Sequence, residues 1–311
     1  MHQSMNSLYS AGARFISNMK ENSKVVIIFH EDSDGFASAS ILVWTLTKLG
    51  KLSEIYFVPV ETNRPEVTEE HVDIVISERP DAVIICDIAI IPEKYVSRMS
   101  EATDTLIIDH HDTGFNDVNG VVYLNPRYVR RPPAKIPPAS YVVYKVCSRI
   151  VDAKPLSWIA GLGILGDWCA DCCPDIFKDI EKEYPSLIRG ISVFTQENLI
   201  STPLGQLLDY LDSARKYRNS EGPQLIIESL LNYIDKPHLL LSGADRDVQE
   251  LDNMGKITVA EINRLMSEHR TAAKFYPKSR LIHYHIDTSF DLKSEIANQL
   301  REKYPDWVIL V

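Results

Sequence analysis

The sequence lacks the features that mark several large classes of protein. No apolar run approaches the roughly 20 residues that span a bilayer, and the N-terminus has no apolar signal-peptide core. We therefore expect no membrane association. Basic residues are also in deficit, with 33 Lys and Arg against 43 Asp and Glu and a formal net charge of −10. A general nucleic-acid coat protein would be basic, so any contact with nucleic acid must use a local basic patch.

Cysteine is scarce, and the count of five is odd. The five are Cys86, Cys147, Cys169, Cys172 and Cys173. We expect no disulfide framework and predict a reducing, cytoplasmic compartment. The last three cysteines lack an obvious fourth zinc ligand at a suitable spacing, so buried thiols are the favoured interpretation.

Length and composition are those of an ordinary globular protein. The chain has 311 residues, of which 45% are hydrophobic and 24% charged. These values exclude wholesale disorder, collagen and coiled coil, and the length favours about two domains.

Short apolar runs alternate with helical patterns through the first half of the chain. Five runs predict buried strands: 24–30, 55–60, 82–88, 105–109 and 121–124. The intervening stretches predict helices, although the pattern at 72–78 fits either a helix or an extended segment. This alternation predicts an α/β fold, with a parallel sheet and helices on both faces.

Polar residues directly follow three of the predicted strands. The string HEDSDG places His30, Asp32 and Asp34 on one face of an extended segment. Asp87 ends another strand, and Asp109–His110–His111 ends a third. Ligands of parallel sheets bind at the carboxyl ends of the strands, so these three groups could converge.

Each of these motifs also has a structural interpretation. Asp32 and Asp34 suit the N-terminal cap of the next helix, and Asp87 suits the N-cap of the helix that follows it. Asp167, in GILGDWCAD, fits a turn at a helix C-terminus, and the adjacent histidines fit a polar turn. Trp168 is expected to pack in the core.

Taken together, the polar groups suggest a metal centre. The candidate ligands are His30, Asp32, Asp34, Asp87, His110 and Asp167. Nitrogen and oxygen donors without cysteine suit two ions such as Mn²⁺ or Mg²⁺. Two metals roughly 3.5–4 Å apart share a bridging ligand, for which Asp87 is the candidate. Such a pair generates a hydroxide at neutral pH and stabilises in-line displacement at phosphorus.

A basic, proline-rich stretch at 125–138 follows the last predicted strand of this group. Arg127, Arg130 and Arg131 are candidates for phosphate contacts, because arginine binds phosphate through two parallel hydrogen bonds. Such contacts position a nucleic-acid strand without reading its sequence. An exposed loop without a specific role fits the stretch equally well.

The strings HEDSDG, CDI, IDHHDTG and GILGDWCAD, in this order, resemble the four motifs of the DHH phosphoesterase family. The first string, followed by SAS, is similar to archaeal RecJ-like proteins. The resemblance covers residues 24 to about 175 and implies a two-metal, usually Mn²⁺-dependent phosphoesterase. Every ligand position of the family is filled, unlike in its inactive relatives of the replicative helicase.

The resemblance also implies individual roles. One metal would be held by His30, Asp32 and Asp87, and the other by Asp34, Asp87, His110 and Asp167. His111 would contact the scissile phosphate, and Asp109 would support the histidines.

It further implies a DHH catalytic domain at 1–175, a helical connecting region at 176–279 and part of a C-terminal substrate-binding, DHH-associated domain at 280–311. The family's GGxH string is absent from the sequence, which leaves substrate choice open. The sequence stops inside the last predicted strand, so we expect a fragment of a longer protein.

The leading hypothesis is an exonuclease of single-stranded DNA or RNA in which a metal-bound hydroxide attacks phosphorus. The resemblance implies 5′→3′ polarity. One alternative is a phosphoesterase of short oligonucleotides or cyclic dinucleotides, which the acidic net charge favours. Another is a non-catalytic replisome scaffold that binds replication or repair proteins.

Overall fold

A five-stranded parallel sheet forms the centre of the computed structural model, which describes residues 4–113, 118–130, 135–217, 222–242 and 246–311. The strands are β1 (Ser23–His30), β2 (Leu52–Val60), β3 (Ala82–Cys86), β4 (Asp104–Ile108) and β5 (Val121–Leu124). Their order across the sheet is β2-β1-β3-β4-β5, and every neighbouring pair is parallel. The prediction of a parallel α/β sheet is confirmed.

Twelve α-helices are present in the described ranges. They are α1 (Met5–Asn18), α2 (Ser33–Lys48), α3 (Glu69–Glu78), α4 (Glu93–Ala102), α5 (Ala139–Cys147), α6 (Ser157–Gly166), α7 (Pro174–Glu183), α8 (Gln196–Ile200), α9 (Pro203–Lys216), α10 (Gly222–Asn232), α11 (Arg246–Ala272) and α12 (Lys293–Lys303). The ambiguous segment at 72–78 is helical and lies in α3.

Alternating side chains of β1 enter two separate cores. Ile27 and Phe29 face the larger core, which also contains side chains of α1, α2, α5 and α6. Val26 and Ile28 face the smaller core, built with α3 and α4. The part of a strand that is covered on both faces is a near-continuous apolar run, as residues 25–29 of β1 are. Helices therefore cover both faces of the sheet, as predicted.

The chain after α6 is helical until a second, small sheet. Its strands are β6 (Lys274–Tyr276), β7 (Leu281–His283) and β8 (Val308–Leu310). In this sheet β7 pairs antiparallel with β6 and parallel with β8. Leu265 of α11 packs with Tyr284 and with Ile296 of α12 in its core. The predicted boundaries at 175 and 279 remain predictions, although β6 already belongs to the small sheet.

The interpretation of the cysteine cluster as free thiols is wrong for one pair. Cys169 and Cys172 form a disulfide across a short 3₁₀ turn. The turn brings their Cα atoms to 5.5 Å, within the range that a disulfide spans. Cys173 is a buried free thiol.

Candidate metal centre

The carboxyl end of β1 supplies the first candidate ligands. His30 is the last residue of the strand, and Asp32 is the N-cap of α2. One oxygen of Asp32, Oδ1, accepts hydrogen bonds from the amides of Asp34 and Gly35, both at 3.1 Å. The other, Oδ2, lies 2.7 Å from His30 Nδ1. Asp32 therefore caps the helix and also faces the site.

Gly35 lets the chain turn this tightly. A Cβ atom at this position would lie 1.8 Å from the carbonyl oxygen of His30. Only glycine allows α2 to start so close to the end of β1.

Asp34 is held by the N-terminus of α5. Its Oδ2 accepts a hydrogen bond of 2.7 Å from the amide of Ala139, and its Oδ1 one of 2.9 Å from the amide of Ser140. The first amides of a helix have no partner within the helix and favour negative charge. These bonds fix a fully buried carboxylate at the centre of the site.

Asp87 and His110 meet at the middle of the cluster. Asp87 follows β3 with a positive φ of 59° and is almost fully buried. His110 Nε2 lies 3.2 Å from Asp87 Oδ1 and 3.2 Å from Asp167 Oδ2. The predicted helix-turn role also holds for Asp167, which is the C-cap of α6. Asp87, by contrast, does not cap α4, whose N-cap is Pro92.

The segment after β4 forms a compact polar turn around Asp109. This buried carboxylate accepts hydrogen bonds from the amide of His111 at 3.1 Å and from His111 Nδ1 at 2.8 Å. Because a carboxylate only accepts, His111 Nδ1 carries the proton in this bond. Asn125, which follows β5, donates to the carbonyl oxygen of His111 at 2.9 Å.

Three overlapping groups of side chains could each hold a metal ion. They are His30, Asp32 and Asp87; Asp34, His110 and Asp167; and Asp87, His110 and His111. Within each group, the ligand atoms lie within 4.8 Å of one another. Asp87 belongs to two groups, as a bridging carboxylate would.

Several buried polar atoms in these groups lack hydrogen-bond partners in the structure. They include both carboxylate oxygens of Asp87 and the Nε2 atoms of His30 and His110. Unsatisfied buried polar atoms are costly and rare, and a bound ion is one explanation for them. The donor set of carboxylates and imidazoles without thiolate fits Mn²⁺ or Mg²⁺.

The carboxylates of the site crowd one another electrostatically. Burial raises the pKa of Asp87, and the charges of Asp32 and Asp34 raise it further. Burial and Asp34 raise the pKa of Asp167 to about 9. Burial lowers the pKa of His30, but Asp32 and Asp87 outweigh this effect and raise it to about 11. The site therefore attracts positive charge, which protons or metal cations can supply.

The predicted phosphate-binding arginines fall in different environments. Arg127 is half-buried, and its Nε donates to the carbonyl oxygen of His110 at 3.2 Å. Arg130 is exposed, and Arg131 lies outside the described residues. Of the three, Arg127 thus touches the backbone of a candidate ligand.

Two contributors to the site were not predicted, and the expectation for the neighbouring Trp168 was wrong. The amides of α5 that hold Asp34 leave no trace in the sequence, because every residue type except proline supplies a backbone N–H group. Asn125 could have been found, because it follows a strand directly as the other polar residues do. Trp168 was expected in the core, but its side chain is exposed, with 67% of the residue accessible to solvent.

Comparison with known proteins agrees with this architecture. Residues 24–166 match the family described as "DHH family, N-terminal domain". Residues 24–166 therefore match the family that the four motifs resemble, and the predicted resemblance is confirmed for this part of the chain. No curated protein sequence matches the chain significantly.

Solved structures share the fold across almost the whole chain. An exonuclease RecJ bound to manganese is 17% identical with a TM-score of 0.68, over 97% of this chain and 80% of that one. RecJ from Thermus thermophilus in complex with Mn²⁺ is 15% identical with a TM-score of 0.70, over 98% of this chain but only 46% of that one. CDC45 from Entamoeba histolytica is 10% identical with a TM-score of 0.61, over 98% of this chain and 84% of that one. The chain thus has a RecJ-like fold.

In the part of the chain that the structure describes, none of the helices is long and apolar enough to cross a membrane.

Proposed function

We propose that this protein is a two-metal phosphodiesterase that acts on single-stranded nucleic acid from an end. The observation that carries the proposal is the set of three overlapping ligand groups, whose central atoms are buried and without hydrogen bonds. A scaffold protein would gain nothing from leaving Asp87 and His110 unsatisfied, whereas a metal centre requires free ligand atoms. The manganese named in the RecJ structures supports the choice of ion.

The side chains divide into two ligand sets around the shared Asp87. His30 and Asp32 would hold one ion with it, and Asp34, His110 and Asp167 the other. When bound, such cations activate water and neutralise charge at phosphorus.

The remaining polar groups would orient the substrate. Asp109 holds His111 by Nδ1, so Nε2 is the ring atom left to meet a phosphoryl oxygen. Arg127 lies against the same turn and would bind a neighbouring phosphate. These contacts suit a phosphodiester backbone and read no base sequence.

The test is turnover of end-labelled single-stranded DNA and RNA, from dinucleotides to long strands, with Mn²⁺, Mg²⁺ or EDTA. We expect Mn²⁺-dependent shortening of long strands that EDTA abolishes. Cleavage confined to the shortest oligomers would instead favour a phosphoesterase of short oligonucleotides. Metal-independent strand binding without any cleavage would favour a scaffold.

Asp87→Asn should abolish the activity. The amide retains the size of the side chain but cannot bridge two cations. Removing a hydrogen-bond partner of a metal ligand typically costs about 10- to 100-fold in activity. We expect the loss of activity in Asp87→Asn to be larger, because Asp87 is itself a candidate ligand. Mn²⁺ should also raise the melting temperature of the parent protein but not of this variant, because a ligand stabilises only the fold that binds it.

The matched control is Asp73→Asn, which removes the charge of an exposed carboxylate on α3. It should leave both turnover and the Mn²⁺-dependent melting shift unchanged. If Asp87→Asn kept the activity or the melting shift, the metal centre would be wrongly assigned.

A further inference from the structure

Trp168 occupies a backbone position that glycine normally fills. It follows the C-cap of α6 with a φ of 53°. Its amide donates to the carbonyl oxygen of Leu165 at 3.1 Å, and the amide of Cys169 donates to that of Ile164 at 3.0 Å. These two bonds define a Schellman motif, whose left-handed residue is usually glycine. A left-handed conformation is unfavourable for a bulky side chain.

Packing does not explain this aromatic residue. Two-thirds of Trp168 is accessible to solvent, whereas tryptophan is usually highly buried. The side chain of Gln196 holds the turn in place. Its Nε2 donates a hydrogen bond to the carbonyl oxygen of Leu165, and its Oε1 accepts one from the amide of Ala170. A strained conformation that persists on a well-held turn points to a functional side chain.

The indole lines a cleft next to the metal centre. The cleft has a volume of about 390 Å³, within the range of small-ligand sites, and Asp32 and Trp168 both line it. Asp167 directly precedes Trp168 in the chain, and its carboxylate points at His110. The same turn thus supplies a candidate metal ligand and an exposed ring.

The far wall of the cleft is unsuited to phosphate. It contains Arg215 and Lys216, but both are already paired. Arg215 lies 3.2 Å from Asp291, and Lys216 lies 3.1 Å from Glu295. Apart from the candidate metal ligand Asp32, four lining carboxylates outnumber these two cations, so the far wall is acidic. A phosphate chain would be repelled, whereas an uncharged planar ring would not.

We propose that Trp168 is a stacking platform for the nucleobase next to the scissile phosphate, and that this cleft is the base subsite. The inference deepens the proposed function and rests on it. Aromatic rings bind successive bases without sequence preference because every base has a flat face. Phosphates would lie on the side of His111 and Arg127, and the base on the side of Trp168. The subsite makes nucleotides, rather than base-free phosphate chains, the substrate class.

The test compares a single-stranded oligonucleotide with the same strand carrying abasic residues at its cleaved end. Binding is measured by fluorescence anisotropy in EDTA, so that it does not depend on catalysis. Turnover is measured separately with Mn²⁺. Trp168→Gly should weaken binding and kcat/KM for the normal strand by about 5- to 100-fold, the range of single stacking contacts. The abasic strand should be unaffected by the substitution.

Trp168→Gly also separates stacking from a structural role. Glycine adopts the left-handed conformation without strain, so we expect an unchanged or higher melting temperature. Trp168→Phe retains a ring and should keep part of the preference for the normal strand. Tyr276→Ala, which removes an exposed ring of β6 outside the cleft, should change neither strand's binding.

The possible outcomes decide between the two proposals. The base subsite would be overturned if Trp168→Gly weakened binding of the normal and the abasic strand equally. It would also be overturned if the melting temperature fell and binding of both strands was lost. Unchanged binding and turnover in Trp168→Gly would also overturn the base subsite. The proposed function would be unaffected by that result, because it rests on the metal-dependent activity of the parent protein. A base-dependent binding difference without any turnover would support the subsite and count against the proposed hydrolysis.

Discussion

Asp109 is fully buried. It does not belong to any of the three candidate ligand groups among the described residues. It holds His111 through two hydrogen bonds, so its effect on chemistry passes through that imidazole. In Asp109→Asn, the amide can present its NH₂ group to Nδ1 and turn the imidazole or change its tautomer. Outer-shell changes of this kind typically cost 10- to 100-fold in activity, and we expect about this loss in kcat.

The measurement is kcat and KM for an end-labelled strand, with Asp104→Asn as the control. Asp104 begins β4 on the surface, and its substitution should change neither constant. If Asp109→Asn raised KM alone and left kcat intact, Asp109 would serve substrate binding rather than the orientation of His111.

Single residues here serve structure and site together. Asp32 caps α2 with one oxygen and faces His30 with the other. Asp167 ends α6 and points at His110. The structural and the functional interpretations of these motifs are therefore compatible. Asp32 has two carboxylate oxygens to divide between them, and Asp167 caps its helix through its backbone amide, which leaves its carboxylate free to face His110.

At the scale of elements, α6 approaches α2 and α5 through small residues. A Cβ atom at Gly163 would lie 2.4 Å from Ser140 Oγ, 2.8 Å from Ser140 Cβ and 2.9 Å from Asp34 Oδ1. Close packing of these helices holds the carboxylate of Asp34, in the first turn of α2, against the first amides of α5. The glycines of GILGDW are thus part of the site without binding anything.

Gly163→Ala should therefore weaken metal binding. The added methyl group must displace Ser140, whose amide holds Asp34. We expect a smaller Mn²⁺-dependent rise in melting temperature and a lower kcat, together with a destabilisation of about 1–3 kcal/mol from overpacking. Calorimetry and denaturant unfolding would measure these effects. A variant with normal Mn²⁺ binding would show that α6 can shift without disturbing the site.

The control for this prediction is Gly50→Ala. Gly50 has a positive φ, and no atom lies within 4 Å of the position that its Cβ would take. This substitution strains the backbone away from the site. It should lower stability without changing Mn²⁺ affinity.

At the scale of the whole molecule, charged pairs attach α12 to α9. Lys216 of α9 pairs with Glu295 of α12. Arg215 of α9 pairs with Asp291, which lies just before α12. Burial by itself raises the pKa of Glu295, but the hydrogen bond from Gln299 and the charge of Lys216 outweigh burial and lower it below its ordinary value. Asp212, which pairs with both basic residues, also has a lowered pKa despite its burial.

These pairs predict acid sensitivity with a definite sign. A carboxylate whose pKa is lowered on folding stabilises the fold above its unfolded value, about 4.3 for Glu, and loses that contribution as pH falls through its folded value. The free energy of unfolding should decrease below about pH 5. In Glu295→Gln, stability at pH 7 should be lower and its decrease with acid smaller. Urea unfolding of both proteins at pH 7 and below about pH 5 would test this. An equal loss of stability with acid in the parent and in Glu295→Gln would contradict it.

The parallel sheet could be predicted from the sequence pattern, and so could the meeting of several candidate ligands at one of its edges. Apolar runs as long as β1 are forced by burial on two faces, and polar residues that end parallel strands meet at one edge. These two rules predict that His30, Asp87 and His110 could converge, and in the structure His30 and His110 both lie within 4 Å of the Asp87 carboxylate. The four motifs in order predicted a resemblance to the DHH family over residues 24 to about 175, and the family match covers residues 24–166.

The arrangement of the remaining groups depends on how the helices and turns pack in space. The amides of α5 that hold Asp34 depend on where a helix begins in space, which no residue type encodes. The exposure of Trp168 depends on a left-handed turn that places a large ring where glycine is usual, so hydrophobicity alone assigned it to the core. The pairing of Cys169 with Cys172 likewise depends on a short turn. Local sequence patterns predict which residues are buried and whether a segment is a helix or a strand. These features instead arise from backbone geometry and long-range packing.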